Sequence, residues 1–259
     1  MKLCVIITAT ILLAGCNPVM RNSQGQMFTV ISHGEFFNKD VNKIVSFDKH
    51  TFIYIDSTYS FYMMPVVATT FRKTLGKNDQ EVVAVDSSYQ LSVFKTTEHL
   101  GLQYSFKKNE INNLIDRVEI DSVLKTASLD KKNLSYFSLD FGKPFSSNSS
   151  DHEKIEKYVP EKKTQGEPDT IFRTYDKRLR NITFSFSPEL DKKNKSKLVK
   201  TAYLMKKMPK GSLYPDIDVP ETISYYEIKL CDFLKPQQIK DIILRFEKDY
   251  FSQIVSKNN

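Results

Sequence analysis

The stretch NEINNLIDRVEID, residues 109–121, decides the fold expected from this sequence. Its apolar residues Ile111, Leu114, Ile115 and Val118 recur at helical spacing, which predicts an amphipathic helix. The chain before it contains several short runs in which apolar and polar residues alternate, and these runs predict strands. A helix that follows antiparallel strands would cover one face of their sheet. The predicted fold class is therefore α+β, with mostly antiparallel sheets each covered by a C-terminal helix.

Residues 237–249, QQIKDIILRFEKD, near the end of the chain, carry the same residue as this stretch at five of thirteen positions, among them Ile239, Ile243 and Arg245. Two further pairs of segments match in the same order: IVSFDK (44–49) with FRTYDK (172–177), and VVATTF (66–71) with LVKTAY (198–203). The matches predict a tandem duplication of a unit of about 90 residues, at 41–128 and 169–256. The alternative is that two sets of strands and helices share apolar periodicity by chance.

The domain organisation follows from these units and from composition. We expect a signal peptide at 1–15, a lipidated tether and lead-in at 16–40, and a first α+β unit at 41–142. Residues 143–168 are rich in Ser, Lys, Glu and Pro, and predict a polar linker or long loop. The second α+β unit would occupy 169–259, with a last helix that begins at Pro236. The charged stretch SPELDKKNKSK (187–197) predicts a hairpin connection in that unit.

Composition indicates a folded, strand-rich body with a soluble surface. The 259 residues include 18 Phe and 13 Tyr, enough large side chains for a sizeable core. The aromatic series Phe52, Tyr54, Tyr59, Phe61 and Tyr62 fits core packing better than a ligand platform. The net charge of +7 is spread along the chain, and no zinc knuckle, phosphate loop or RNA-stacking motif occurs. We therefore expect no nucleic-acid partner.

The amino terminus carries the most specific motif of the chain. The apolar run LCVIITATILLA, residues 3–14, follows Lys2 and is shorter than the about 20 residues that span a bilayer. Leu13, Ala14 and Gly15 then precede Cys16. These residues resemble the lipobox of bacterial lipoproteins, a resemblance that covers residues 1–16 only. It implies lipidation of the Cys16 thiol and cleavage before that residue.

Anchoring and location follow from the same resemblance. Acyl chains at Cys16 would hold the protein on a membrane, and residues 17–26 would give a tether of up to about 35 Å. In such lipoproteins an Asp after the cysteine signals retention at the inner membrane. Asn17 stands there instead, which implies an outer-membrane lipoprotein facing the periplasm. Cys231 is then left without a disulfide partner and is expected to be a buried structural cysteine.

No local motif for catalysis or metal binding stands in the sequence. The histidines, His33, His50, His99 and His152, lack metal-ligand spacing, and we expect them at turns or on the surface. GxSxG and HExxH are missing, and the weak SxxK match at 122–125 fits chance. Paired carboxylates for glycoside hydrolysis leave no local signature and stay open. We expect no catalytic residue, no metal and no cofactor.

The function expected from the sequence is that of a membrane-anchored envelope lipoprotein, a non-enzymatic binding or structural module with an envelope protein or polysaccharide as partner. One alternative is an envelope hydrolase acting on peptidoglycan, peptide or polysaccharide, with a polar cleft that holds paired carboxylates or a His-bearing dyad. Another is an accessory lipoprotein of a secretion system or an immunity protein.

Overall fold

A computed structural model describes residues 25–73, 80–107, 110–135, 137, 141–160, 167–212 and 216–255 of the chain. Most of these residues belong to a single antiparallel sheet of eleven strands. The strands are β1 (Gln26–Asn38), β2 (Lys43–Ile55), β3 (Tyr59–Lys73), β4 (Gln80–Lys95), β5 (Leu100–Lys107), β6 (Glu110–Glu119), β7 (Ser146–Ser149), β8 (Glu153–Tyr158), β9 (Thr170–Asp176), β10 (Lys197–Met205) and β11 (Thr222–Leu230). The described helices are α1 (Ile120–Thr126), α2 (Lys131–Ser135), α3 (Pro188–Asn194) and α4 (Pro236–Tyr250), and a π-helical turn, Phe251–Val255, follows α4.

The strand order is β6-β5-β4-β3-β2-β1-β11-β10-β9-β8-β7. The chain runs outward from the centre through β1 to β6, crosses to the opposite edge through α1 and α2, and returns inward through β7 to β11. The first and last strands therefore pair at the centre, where Phe28 lies opposite Leu230 and His33 opposite Tyr225. This one pairing joins the two halves of the chain into one sheet.

Each face of the sheet carries its own hydrophobic core, because successive residues of a strand point to opposite faces. On one face, Phe28, Ile53 and Phe94 pack under α1 and the segments that lead to α2 and α3. On the other face, Phe61, Leu91 and Tyr104 pack under α4. The aromatic series of the sequence is divided between these cores, with Tyr54, Phe61 and Tyr62 buried, so its expected role in packing is confirmed.

The sheet is not uniform along its strands. β2 pairs with β1 over its whole length but with β3 only at Phe52–Ile55. β1 in turn leaves β11 after His33, and the Glu35 carboxylate accepts the hydrogen bond of the Ile223 N–H at 2.8 Å. The ends of β1 and β2 therefore project as a two-stranded arm. The arm exposes four large apolar side chains, Phe36, Val41, Ile44 and Phe47.

The predicted α+β fold of helix-covered sheets is wrong. One large sheet replaces the two expected sheets, and its central strand β1 comes from the segment predicted as tether and lead-in, 16–40. The stretch 109–121 forms strand β6, and helix α1 begins only at Ile120. Its match at 237–249 is helical, as predicted, within an α4 that begins at Pro236. Two segments with different secondary structure are not copies of one unit, so the predicted duplication is also wrong.

Two further segments differ from their predicted structure. The polar segment 143–168 contains the strands β7 and β8, which form one edge of the sheet. Residues 187–197, predicted as a hairpin connection, contain helix α3 and the start of β10. Both segments contribute to the cavity described next.

Candidate functional site

A cavity of about 560 Å³ lies between the outer strands β8 and β9, helix α3 and the segment 141–145. Its volume falls in the range of about 300–1,000 Å³ that small-molecule sites occupy. The lining includes several charged and amide side chains, with Lys154, Glu156 and Arg173 from the strands and Lys193 and Asn194 from the helix. Such a lining suits a ligand with hydrogen-bonding groups.

Strand alternation brings the sheet residues of the cavity onto one face. Lys154, Glu156 and Tyr158 are two residues apart on β8 and therefore point the same way. Across the strand pair, Glu156 lies opposite Arg173 and Lys154 opposite Tyr175. The register of β8 against β9 thus assembles a cluster of charges and phenols that neither strand carries alone.

Glu156 is a buried carboxylate, only 6% exposed, and each of its two oxygens has a hydrogen-bond donor beside it. The Lys154 Nζ lies 2.5 Å from its Oε1, and the Tyr158 hydroxyl donates to its Oε2 at 2.6 Å. Burial alone would raise the pKa of Glu156, but the hydrogen bonds from Lys154 and Tyr158 outweigh it and hold the pKa below its usual value. Glu156 is therefore ionised at neutral pH, and its charge is compensated within the cluster.

Arg173 places a second buried charge at the cavity. The side chain is 2% exposed, and its Nη2 donates to the carbonyl oxygen of Phe137 at 2.7 Å. The guanidinium carbon lies 4.8 Å from the ring centroid of Phe141 and 5.2 Å from that of Tyr158, which are cation–π distances.

The phenol of Tyr175 is the least satisfied group that lines the cavity. The residue is fully buried, and its hydroxyl lies near Glu156 without a hydrogen bond of normal geometry. Burial, followed by the negative charge of Glu156, raises its pKa, while the charge of Arg173 acts in the opposite direction. On the neighbouring β10, the hydroxyls of Thr201 and Tyr203 are also buried without a partner in the described chain. Buried polar atoms without a partner are rare and point to a missing ligand or water.

Helix α3 closes the cavity from above the sheet. Ser187 caps its start by accepting the hydrogen bond of the Leu190 N–H at 3.4 Å, and Pro188 occupies the first turn. Asn194, in the last turn, accepts the hydrogen bond of the Lys154 Nζ at 2.9 Å and so ties the helix to β8. Lys193 lines the same cavity, and its amine forms no ion pair with any described carboxylate.

This site could not be predicted from sequence motifs. β8 and α3 came from segments predicted as a loop and a hairpin connection, and no motif joins them. One local signal was present, since Ser187 followed by Pro188, Glu189 and Asp191 is typical of a helix start. The positions of Glu156 and Arg173 depend on strand register, which no short stretch of sequence encodes.

A second polar cluster lies on the other face of the sheet, around His33. Its Nδ1 lies 2.8 Å from Asp48 Oδ1, its Nε2 lies 3.6 Å from Glu35 Oε1, and its ring stacks on Tyr225 at 4.8 Å between centroids. His33 is thus a mid-strand residue, contrary to the expected turn or surface position. In a nucleophilic triad the second ring nitrogen faces a Ser or Cys. Here it faces a carboxylate, so the pair lacks triad geometry.

The remaining residues singled out in the sequence are not brought together. Cys16, the predicted lipidation site, lies outside the described residues, as does the predicted signal peptide. Cys231 is half-buried and has a free thiol, and burial raises its pKa. His99 and His152 are exposed. Within the described ranges, no three His, Cys, Asp or Glu side chains group as a metal site would, and none of the helices has the length and apolar character to span a membrane.

No protein-family model matches this chain, and no characterised protein matches it by sequence. The site residues themselves are therefore the basis for a functional proposal.

Proposed function

We propose that this chain is an outer-membrane lipoprotein, anchored through Cys16, whose sheet body binds a small envelope-derived ligand in the cavity under α3. The lipobox-like residues Leu13 to Cys16 support the anchor, and Asn17 supports the outer membrane. The observation that carries the binding role is the buried, unsatisfied hydroxyl of Tyr175 in a cavity of ligand size. We propose a non-enzymatic module, with an envelope saccharide as the class of ligand.

The polarity of the cavity favours a saccharide over an apolar ligand. Sugars present hydroxyl groups that exchange hydrogen bonds with charged and amide side chains, such as those of Arg173, Lys193 and Asn194. They also present C–H faces that pack on aromatic rings, and Tyr158 and Tyr175 supply rings at this cavity. An apolar ligand would leave the buried hydroxyl of Tyr175 without a partner, at a cost of about 1–3 kcal/mol.

The hydrolase alternative has less support. It requires a His-bearing dyad with a nucleophile, or two carboxyls that flank a substrate. The His33 pair has carboxylates at both ring nitrogens. In the cavity, Glu156 is ionised and held by Lys154 and Tyr158, which leaves it poorly placed to donate a proton. The secretion-system and immunity alternatives would require a protein partner, and the cavity described above gives no support for one.

The anchor is tested by replacing Cys16 with serine. We expect C16S to lose metabolic palmitate labelling and to move from the membrane to the soluble fraction, because a hydroxyl cannot replace the thiol as the acyl acceptor. Fractionation and labelling of cells that express each form give the result. Cys231→Ser is the matched control and should keep both labelling and membrane association. Unchanged labelling of C16S would refute the anchor.

The binding role is tested by filling the cavity. Lys193→Trp places a large ring at its mouth, whereas Lys192→Trp places the same ring on the same helix away from the lining. We expect the soluble saccharide fraction of the host envelope to raise the melting temperature of the wild type and of K192W. At about 100 times the Kd, the rise should reach about 5 °C.

K193W should show little or no rise in this measurement, which can be made by differential scanning fluorimetry. An equal rise in K193W and K192W would place the ligand elsewhere. A wild-type protein that shows no rise would argue against the binding role itself.

A further inference from the structure

We infer that the open edge of the projecting arm, residues 43–51 of β2, is an interface at which two copies of this chain pair as antiparallel strands about a two-fold axis. Phe47 lies at the centre of this edge, so the axis would pass beside it. The inference does not depend on the α3 cavity and goes beyond the proposed function.

The edge is open because β3 leaves β2. On one side β2 pairs with β1 along its whole length, but on the other it pairs with β3 only from Phe52 onward. β3 continues to Lys73 in pairing with β4 alone. The lost register would have placed Pro65 opposite His50, and proline has no N–H with which to extend the ladder. In the described chain, residues 43–51 therefore have no strand on that side, and their outward backbone groups can pair with another strand.

The two terminal edges of the sheet differ from this one, because they are protected against pairing. β7 reads SSNS and has no apolar side chain, while β6 is interrupted by bulges and carries charged residues. Polar side chains, charges and bulges are the means by which proteins prevent edge pairing. β2 pairs with β1 without a bulge and exposes Ile44 at 41% and Phe47 at 53% on the open edge. The open edge is therefore the edge best suited to strand addition.

Two charged side chains of the open edge already have partners within their own chain. Oδ1 of Asp48 lies 2.8 Å from Nδ1 of His33 on β1. The amine of Lys49 donates a hydrogen bond to the carbonyl oxygen of Thr126, the last residue of α1. Neither group requires a counter-charge from a second strand, so the edge can pair with a copy of itself.

The positions of the charges select one register for this pairing. An axis at Phe47 uses the whole open edge, places the two Phe47 residues opposite each other and sets Val45 opposite Lys49 of the second copy. No like charges then lie directly opposite. An axis one residue earlier would place Lys43 opposite Lys49, and an axis one residue later would place the two Asp48 carboxylates opposite each other. Like charges directly opposite destabilise a strand pair, whereas aromatic pairs stabilise it.

The backbone of the open edge favours a strand over an apolar surface such as a lipid bilayer. A second strand bonds the outward N–H and C=O groups of β2 and also covers the exposed ring of Phe47. An acyl chain could cover the ring but would leave the backbone groups unpaired, at a cost in free energy. The second copy therefore satisfies both features of the edge.

Cysteine cross-linking in cells that express the full chain tests the pairing. All variants carry Cys231→Ser to remove the free thiol of the body, and C231S alone gives the background. Phe47→Cys should form a disulfide-linked dimer, seen on a non-reducing gel, because opposite Cα atoms about 4.5–5.5 Å apart are within disulfide range. Val41→Cys is the matched control. Val41 is 56% exposed but lies in the turn before β2, more than about 25 Å from its counterpart, so this variant should stay monomeric.

A charge at the axis should separate the two copies. We expect the wild-type mature protein in detergent micelles to have the protein mass of two chains by light scattering, and Phe47→Lys to have that of one, because the two lysines would lie opposite each other. Phe36→Lys is the control and should keep the mass of two chains. Phe36 is 48% exposed on the same face of the arm, but it belongs to β1.

Three results would each overturn the inference. They are a wild-type protein with the mass of one chain, equal cross-linking of F47C and V41C, and an F47C disulfide that forms only with a different protein. None of them bears on the proposed function, because the K193W experiment measures ligand binding at the cavity and not at the arm.

Discussion

Replacing Phe246 by alanine is expected to lower the free energy of unfolding by about 3–5 kcal/mol. Phe246 is fully buried in α4, where its ring meets Tyr59 edge-on at 6.2 Å and lies 5.1 Å from the ring of Tyr250. Alanine would leave a cavity under the helix that covers the core around Phe61 and Leu91. Urea unfolding followed by circular dichroism measures the change.

The same helix provides the control. Leu244 is 69% exposed, and Leu244→Ala should change the free energy of unfolding by no more than about 0.5 kcal/mol. Both substitutions lie inside α4 and introduce the same residue, so helix propensity affects them similarly. A loss for L244A comparable to that for F246A would mean that α4 does not pack on the sheet by the face described.

Helix α4 could be predicted because its own sequence contains both a helix-start residue and a helical pattern of apolar residues. Pro236 suits the first turn of a helix, and Ile242, Phe246 and Tyr250 recur every four residues along one face. No strand pairs with this segment, so the local helical pattern is not opposed. The strands of the first half were predictable for a similar reason, since their residues alternate and their hairpins are local.

β6 was mistaken for a helix because bulges change its period. Ile111 lies opposite Phe106, and Leu114 lies opposite Tyr104, so three residues of β6 span two of β5. Ile111 and Leu114 therefore reach the same core at a spacing of three, which is typical of a helix. Ile115, the next residue of the apparent helical face, is 53% exposed. A bulge depends on the partner strand, which a local pattern cannot reveal.

Neither the central pairing of β1 with β11 nor the edge strand β7 could be predicted from local sequence, and the reasons differ. β1 and β11 stand at opposite ends of the described chain, and nothing in either strand indicates the other as its partner. β7 is fully exposed and reads SSNS, so it lacks the apolar residues by which strands are recognised. Polar edge strands are common because they discourage pairing with other proteins. The candidate site lies beside this edge and was missed with it.

Replacing Gly101 by alanine is expected to cost about 3 kcal/mol or more, at the upper end of the range for overpacked cores. A Cβ at Gly101 would lie 2.3 Å from the carbonyl oxygen of Val93 and 2.4 Å from Cδ1 of Phe94. Both neighbours belong to β4, and both side chains are fully buried. The backbone oxygen cannot move without disturbing the pairing of β4 with β5, so the added methyl group forces the strands apart.

Gly34 provides the comparison, because a Cβ there would meet an equally close but movable neighbour. The ring of Phe47 would lie 2.4 Å away, but Phe47 is 53% exposed on the projecting arm and can rotate towards solvent. Gly34→Ala should therefore cost less than about 1 kcal/mol in the same urea unfolding measurement, because the relief is a change of side-chain rotamer. The contrast follows from the position of each glycine, since Gly101 lies within the continuous sheet and Gly34 begins the part of β1 that has left β11. Equal losses in the two variants would mean either that β4 and β5 can separate at Gly101 or that the ring of Phe47 cannot rotate away from Gly34. Either result would contradict the expected contrast.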